Sequence, residues 1–181
     1  MTARVNDEWL DRAWIAARIP HSGSMCLLDE VIAWDAETIR CVATSHRDPL
    51  NPLRANGRLA AIVGIEYAAQ AMAVHGAVLG ANAHAGEPGS RPRVGFLTSV
   101  RDVEAHVDRL DTLGGALVVE AERMSGGSNN LMYAFALCDG DRLLLSGRAT
   151  VMLDAGEAMA RSPYPHPAAV RSEPPADRQP E

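Results

Sequence analysis

Glu66 is the one fully charged side chain between Leu59 and Gly86, and its neighbours are Ile62, Val63, Ile65, Ala69 and Met72. An ionised carboxylate in such company costs several kcal/mol unless it is paired or hydrogen-bonded. Burial favours the protonated form, and a carboxyl group that keeps its proton near neutrality is what general-acid chemistry requires. Gln70 follows four residues later, one helical turn on and on the same face, where its amide can hold the carboxyl group in one rotamer. Tyr67 and His75 belong to the same segment. His75 is nine residues from Glu66, an offset of about 180° on a helix, so the two are not expected to pair. The alternative to a chemical role is a structural ion pair with an arginine from a neighbouring strand, Arg101 or Arg148.

The elements that must position these residues are legible in the pattern. Residues 59–79 are rich in Ala, Ile, Val and Met. They read as a helix that is apolar on nearly every face, hence buried. Its length is close to the roughly 20 residues of a membrane span, but its Ala content, Glu66, Gln70 and the flanking strands argue against that. Upstream, residues 25–34 are strand-like, and 38–44 alternate with Ile39, Cys41 and Ala43 on one face. A tight polar turn at Asp35, Ala36 and Glu37 joins them. Residues 6–17 predict a short amphipathic helix capped by Asn6, with Asp7 and Glu8 in its first turn and Trp9, Ala13 and Trp14 as its apolar stripe. A Pro- and Gly-containing loop spans 45–58, and another spans 82–93. Four strand-like runs follow, over 94–107, 116–124, 131–138 and 143–153. Gly126-Gly127 and Asp139-Gly140 separate the last three, and Asp-Gly between apolar runs is a strong hairpin signal. Two strands, one buried helix and four strands make an α+β domain: an antiparallel sheet wrapped around one central helix.

Composition bounds the rest. At 181 residues and 47% hydrophobic, the chain suits one domain with a real core. We divide it into a lead-in (1–20), the main domain (21–153) and a Pro-rich tail (154–181) too poor in apolar residues to offset its ordering entropy, hence disordered. A net charge of -6 does not suggest a nucleic-acid partner. All seventeen basic residues are Arg, which we read as base-composition bias. Three cysteines, Cys26, Cys41 and Cys138, suit neither a disulfide framework nor a zinc site. Cys26 and Cys41 read as buried small hydrophobes. The N-terminal residues lack the pattern of a signal peptide, and a reducing, cytoplasmic setting is expected.

Several segments resemble one family. Ile65-Glu66-Tyr67-Ala68-Ala69-Gln70-Ala71 resembles the central-helix motif of the hotdog-fold β-hydroxyacyl-acyl-carrier-protein dehydratases, in which a carboxylate is followed four positions later by Gln. Ile19-Pro20-His21, running into Met25 to Val31, resembles their first segment and strand. Val94-Gly95-Phe96-Leu97 resembles the strand that lines the acyl tunnel, and Leu145 to Val151 their last strand. With Asn51-Pro52-Leu53 ahead of the helix, the chain looks most like the aryl-polyene branch. The resemblance covers roughly residues 18–153 and rests on the order of these motifs rather than on any one of them. One departure matters: better-known members carry a base histidine in the loop before the helix, and here residues 49–58 contain none.

The resemblance implies a hotdog fold and elimination of water from a 3-hydroxyacyl thioester. His21 is then the candidate base and Glu66 the acid, with His46 the second candidate base. N–H groups near Ala60 and Ala61, at the start of the helix, are expected to meet the thioester carbonyl. Gly95 and Phe96 are expected to shape the substrate channel, and Gln70 to belong to the same site. No metal or organic cofactor is implied. The implied partners are an acyl carrier protein, met by Arg54 and Arg58, and a second hotdog subunit, identical or different, whose carboxylate would meet this chain's histidine. Three alternatives remain: an acyl-thioester hydrolase on the same fold, a non-catalytic partner subunit of an active dehydratase, and a general lipid- or acyl-binding module, which would need Glu66 to be paired structurally.

Overall fold

The computed structural model describes residues 3–5, 8–83, 95–127 and 129–153. Six strands form one antiparallel sheet: β3 (Glu30–Trp34), β4 (Thr38–Ala43), β5 (Gly95–Ala105), β6 (Leu117–Gly126), β7 (Asn130–Asp139) and β8 (Arg142–Leu153). Their spatial order is β3-β4-β6-β7-β8-β5. The helix α2 (Gly64–Ala83) packs across β4, β6 and β7. Alternation puts Ile39, Cys41 and Ala43, then Leu117, Val119 and Ala121, then Tyr133, Phe135 and Leu137 on the face that meets it, and all are buried. From the helix, Tyr67, Ala68, Ala71, Met72, Val74 and Val78 complete this core. The helix is long and apolar enough to cross a membrane; here its buried residues meet the sheet. At its first residue, Gly64, an added Cβ would lie 2.7 Å from Leu145 Cδ2 and 2.8 Å from Leu137 Cδ2. Only glycine lets the helix start this close to β7 and β8.

Turn chemistry sets the register. Asp35 accepts hydrogen bonds from the N–H groups of Glu37 and Thr38, which hold its carboxyl group below the usual range and close the β3–β4 turn. The β7–β8 hairpin forms as expected, with Asp139 pairing Arg142. Its two turn residues are Gly140 and Asp141, and Gly140 supplies the left-handed backbone at φ +57. Cys26, Cys41 and Cys138 are free thiols; Cys26 and Cys41 are buried, and burial pushes the Cys41 thiol up to about 12.

Three boundaries differ from the sequence reading. The helix expected over 6–17 is shorter: β1 (Arg4–Val5) pairs with β2 (Glu8–Trp9), and α1 is confined to Arg12–Ala16. Its cap is Asp11, which accepts the Trp14 N–H at 2.9 Å. The reason is the open edge of β3. Ala3 N–H donates to Val31 O and Val31 N–H to Leu10 O, so the lead-in stays extended to satisfy that edge. The buried stripe is Trp14 and Ile15, while Trp9 is 48% exposed beneath the Arg4 guanidinium. Asn6 and Asp7 lie outside the described residues.

The second difference is the first long strand, which begins at Glu30 and not at Met25. Gly23–Met25 is a 3-10 turn, and the peptides after it bond to a helix side chain, as described below. The third is the central helix. Leu59 and Ala60 are extended, because Leu110 N–H bonds to Leu59 O and Ala61 N–H to Asp108 O. A 3-10 turn over Ala61–Val63 then leads into α2. Most of the loop expected over 82–93 and the whole tail, 154–181, fall outside the described residues.

Candidate active site

Gln70 organises the site. It is fully buried, and its carbonyl oxygen accepts the Leu27 N–H at 2.9 Å. Its amide nitrogen donates to Met25 O at 2.8 Å and to Glu66 Oε1 at 3.0 Å. Each partner has a fixed role, so the orientation of the amide is unambiguous. One side chain thereby ties the lead-in to α2 and fixes the carboxylate one turn away, as the four-residue spacing predicted. Gln70 was grouped with the substrate-binding residues. Its polar atoms are spent on protein partners, so it positions others and does not face substrate.

The tied lead-in delivers His21. Its Nε2 lies 3.1 Å from Glu66 Oε1, with side-chain exposures of 28% and 31%. Two expectations change here. The carboxylate is not sealed in the core, so its charge costs less than the apolar neighbours implied. The histidine meets the carboxylate of its own chain, where a meeting across two subunits was expected. The cause is Gln70, which folds the lead-in back over the helix of the same protomer. His21 Nδ1 is buried without a hydrogen-bond partner. Neither Arg101 nor Arg148 pairs with Glu66, and Arg148 lies 3.6 Å from Asp102 instead.

The remaining candidates separate. His46 is fully buried against the carbonyls of Leu113 and Gly115; burial pushes its pKa down, and neither ring nitrogen completes a hydrogen bond. Among the described residues the histidine that meets Glu66 is His21 and not His46. Ala61 has spent its N–H on Asp108 O at 3.0 Å, and Ala60 bridges Arg109, so this stretch is a strand bridge and not a free helix end. Ala61 therefore offers no donor to a thioester. Gly95 and Phe96 open β5, opposite Leu153 and Met152 at the sheet edge. Among the described residues Glu66 meets His21 and Gln70 and neither of these two. Arg54 is not a free docking residue: it pairs with Asp111 at 3.1 Å and bonds the carbonyls of Asp48 and Gly57. Arg58 is exposed. His75 is buried between Tyr133 Oη at 3.1 Å and Asp35 O at 3.0 Å; as its spacing indicated, it does not pair with Glu66.

A second set of polar groups escaped the sequence reading. Tyr67 Oη contacts Ser45 Oγ at 3.0 Å and Asn51 Nδ2 at 3.0 Å, and Ser45 Oγ donates to Leu27 O at 2.8 Å. A serine after a strand and a tyrosine in an apolar helix carry no signal by themselves. Among the described residues no three His, Cys, Asp or Glu side chains are placed to hold a metal ion. What the site offers is an imidazole and a carboxylate in direct contact, the carboxylate held by a buried amide.

Comparison with known proteins bears on the fold and the family. The chain is similar to a solved structure titled as the dehydratase heterocomplex ApeI:P from Xenorhabdus doucetiae, with 23% identity and a TM-score of 0.67 over 81% of this chain and 95% of that one. It is more distantly similar to a thioesterase from Haemophilus influenzae (14% identity, TM-score 0.48, 68% of this chain and 76% of that one). No curated protein matches the sequence significantly. Residues 13–160 match the family described as ApeP-like, ApeP dehydratase. With most of its length inside that match and a hotdog sheet around its helix, the chain belongs to the ApeP-like dehydratase family.

Proposed function

We propose that this chain removes water from a 3-hydroxyacyl thioester carried on an acyl carrier protein, giving a trans-2-enoyl thioester in aryl-polyene-type or fatty-acid biosynthesis. The observation that carries this reading is the 3.1 Å contact between His21 Nε2 and Glu66 Oε1. Elimination needs a base for the C2 proton and an acid for the departing C3 hydroxyl. His21 is the base and Glu66 the acid. One turnover leaves an imidazolium beside a carboxylate, and the contact between them returns the proton and resets the pair. An acid and a base this close reach one face of the C2–C3 bond, which favours syn elimination. Arg58, exposed near the start of the helix, is the remaining arginine of the proposed pair to meet the carrier's acidic surface.

We further propose that the chain works beside a second hotdog subunit. Among the described residues the outer edge of β5 has no partner strand in the sheet order. The similar structure from Xenorhabdus doucetiae is a dehydratase heterocomplex. Gly95 and Phe96 then act at that seam.

The test is turnover of a 3-hydroxyacyl-carrier-protein thioester by the chain alone and with a second hotdog subunit. His21→Ala and Glu66→Gln are expected to fold and to lose about 10²- to 10⁴-fold in rate. Release of free acid and thiol would identify a hydrolase instead. An assembly whose turnover is unchanged by Glu66→Gln would reduce this chain to a non-catalytic partner.

A further inference from the structure

Half-buried Ser45 and buried Tyr67 and Asn51 form a polar chain that the elimination itself does not use. We propose that this chain is a positioning relay, which fixes the His21 segment against Glu66; the inference rests on the dehydratase reading above. Its polarity can be derived link by link. The Leu27 carbonyl can only accept, so the Ser45 hydroxyl donates to it at 2.8 Å. That spends the one hydrogen of Ser45, so Ser45 Oγ accepts from the Tyr67 hydroxyl at 3.0 Å. Tyr67 has then spent its own hydrogen, and its oxygen accepts from Asn51 Nδ2 at 3.0 Å. The other Nδ2 hydrogen goes to Ser45 O at 2.9 Å, and Asn51 Oδ1 accepts the Leu53 N–H at 2.9 Å. Every hydrogen has one destination, so the chain has a single arrangement.

Its two ends explain its use. One end is Asn51, in the loop ahead of α2. The other is Leu27, whose N–H is held by Gln70 and whose carbonyl is held by Ser45. Leu27 is thus clamped from both sides, and Gln70 also holds Glu66. Between Leu27 and His21 the turn Gly23–Met25, with Gly23 at φ +58, is closed by its own main chain: Met25 N–H donates to Ser22 O at 3.1 Å and Cys26 N–H to Gly23 O at 3.3 Å. A shift at Leu27 is therefore carried through this bonded turn toward the imidazole. Cohesion alone does not require these groups: a phenylalanine in place of Tyr67 fills the same space with no hydroxyl to satisfy. A satisfied buried network instead specifies one geometry. Burial pushes the Tyr67 hydroxyl up, so it keeps the hydrogen the relay needs.

The experiment uses the full chain with its hotdog partner, comparing Ser45→Ala, Ser45→Thr and Tyr67→Phe by circular dichroism, kcat, KM and nitrogen NMR of the His21 ring. Ser45→Ala is expected to fold and to lower kcat by about 10- to 100-fold, as misplacement of a reacting group does, with KM unchanged. Ser45→Thr, which keeps the hydroxyl, is expected to restore most of the rate. In a His21→Ala background Ser45→Ala should cost nothing further. An equal loss in both backgrounds, or wild-type kcat in both Ser45→Ala and Tyr67→Phe, overturns the relay. Should Ser45→Ala not fold, Tyr67→Phe conserves core volume and carries the same comparison. Should the wild type turn over no 3-hydroxyacyl thioester, the dehydratase reading fails and the NMR decides the relay alone. His21 signals displaced by Ser45→Ala and returned by Ser45→Thr support it, and unmoved signals refute it.

Discussion

The surroundings of His75 favour its neutral form. Its Nε2 faces a main-chain carbonyl at Asp35 and must donate, so its Nδ1 accepts from the Tyr133 hydroxyl. Burial pushes its pKa below 6.5 and does the same to His46. The unfolded chain keeps the ordinary value near 6.5. Between the lowered folded value and about 6.5, the unfolded state binds more protons, so stability rises with pH in that window and falls as pH drops through it. Urea denaturation is expected to give a lower midpoint at pH 5.5 than at pH 7.5, and His75→Phe should flatten part of that slope. An unchanged slope in the variant would assign the acid sensitivity elsewhere. His21, His46 and His75 also mark what the sequence could reveal at this scale. Glu66 and Gln70 stood out because their types clash with their neighbours, and their spacing carried the geometry. His21 ranked ahead of His46 in the sequence on its Pro-His context alone. Only the fold places one on the carboxylate and the other against the loop at 113–115.

Periodicity located the strands and the helix, and it erred where side chains replaced backbone partners. Residues 25–29 have the composition of a strand, yet the Leu27 N–H and the Met25 carbonyl go to Gln70 and not to a neighbouring strand. The N-terminal helix was overextended because its propensity was outweighed by the unpaired edge of β3. At the start of α2, Gly64 sets up a contest that magnitudes decide. Alanine gains roughly 1 kcal/mol of helix propensity. Its Cβ would meet two fully buried leucine side chains at 2.7 and 2.8 Å, and overpacking costs about 1–3 kcal/mol. Gly64→Ala is therefore expected to lower the melting temperature. A higher one would mean that Leu137 and Leu145 repack freely.

The two edges of the whole sheet are treated differently. The lead-in covers β3, while β5 presents an 11-residue edge with Phe96 and Leu97 exposed. The sheet thus offers one side for assembly, and no pattern in the sequence distinguished the two edges. Because His21 and Glu66 belong to one chain, an assembly of two such subunits would hold the complete pair within each. Mixing His21→Ala subunits with Glu66→Gln subunits is accordingly expected to restore no activity. Appreciable recovery, approaching the quarter to half expected of a shared site, would show that the pair forms across subunits. A self-sufficient pair has an evolutionary consequence as well. The companion subunit is free to lose its own acid and base and drift toward other duties, such as gripping the carrier or shaping the channel, without silencing the chemistry on this side.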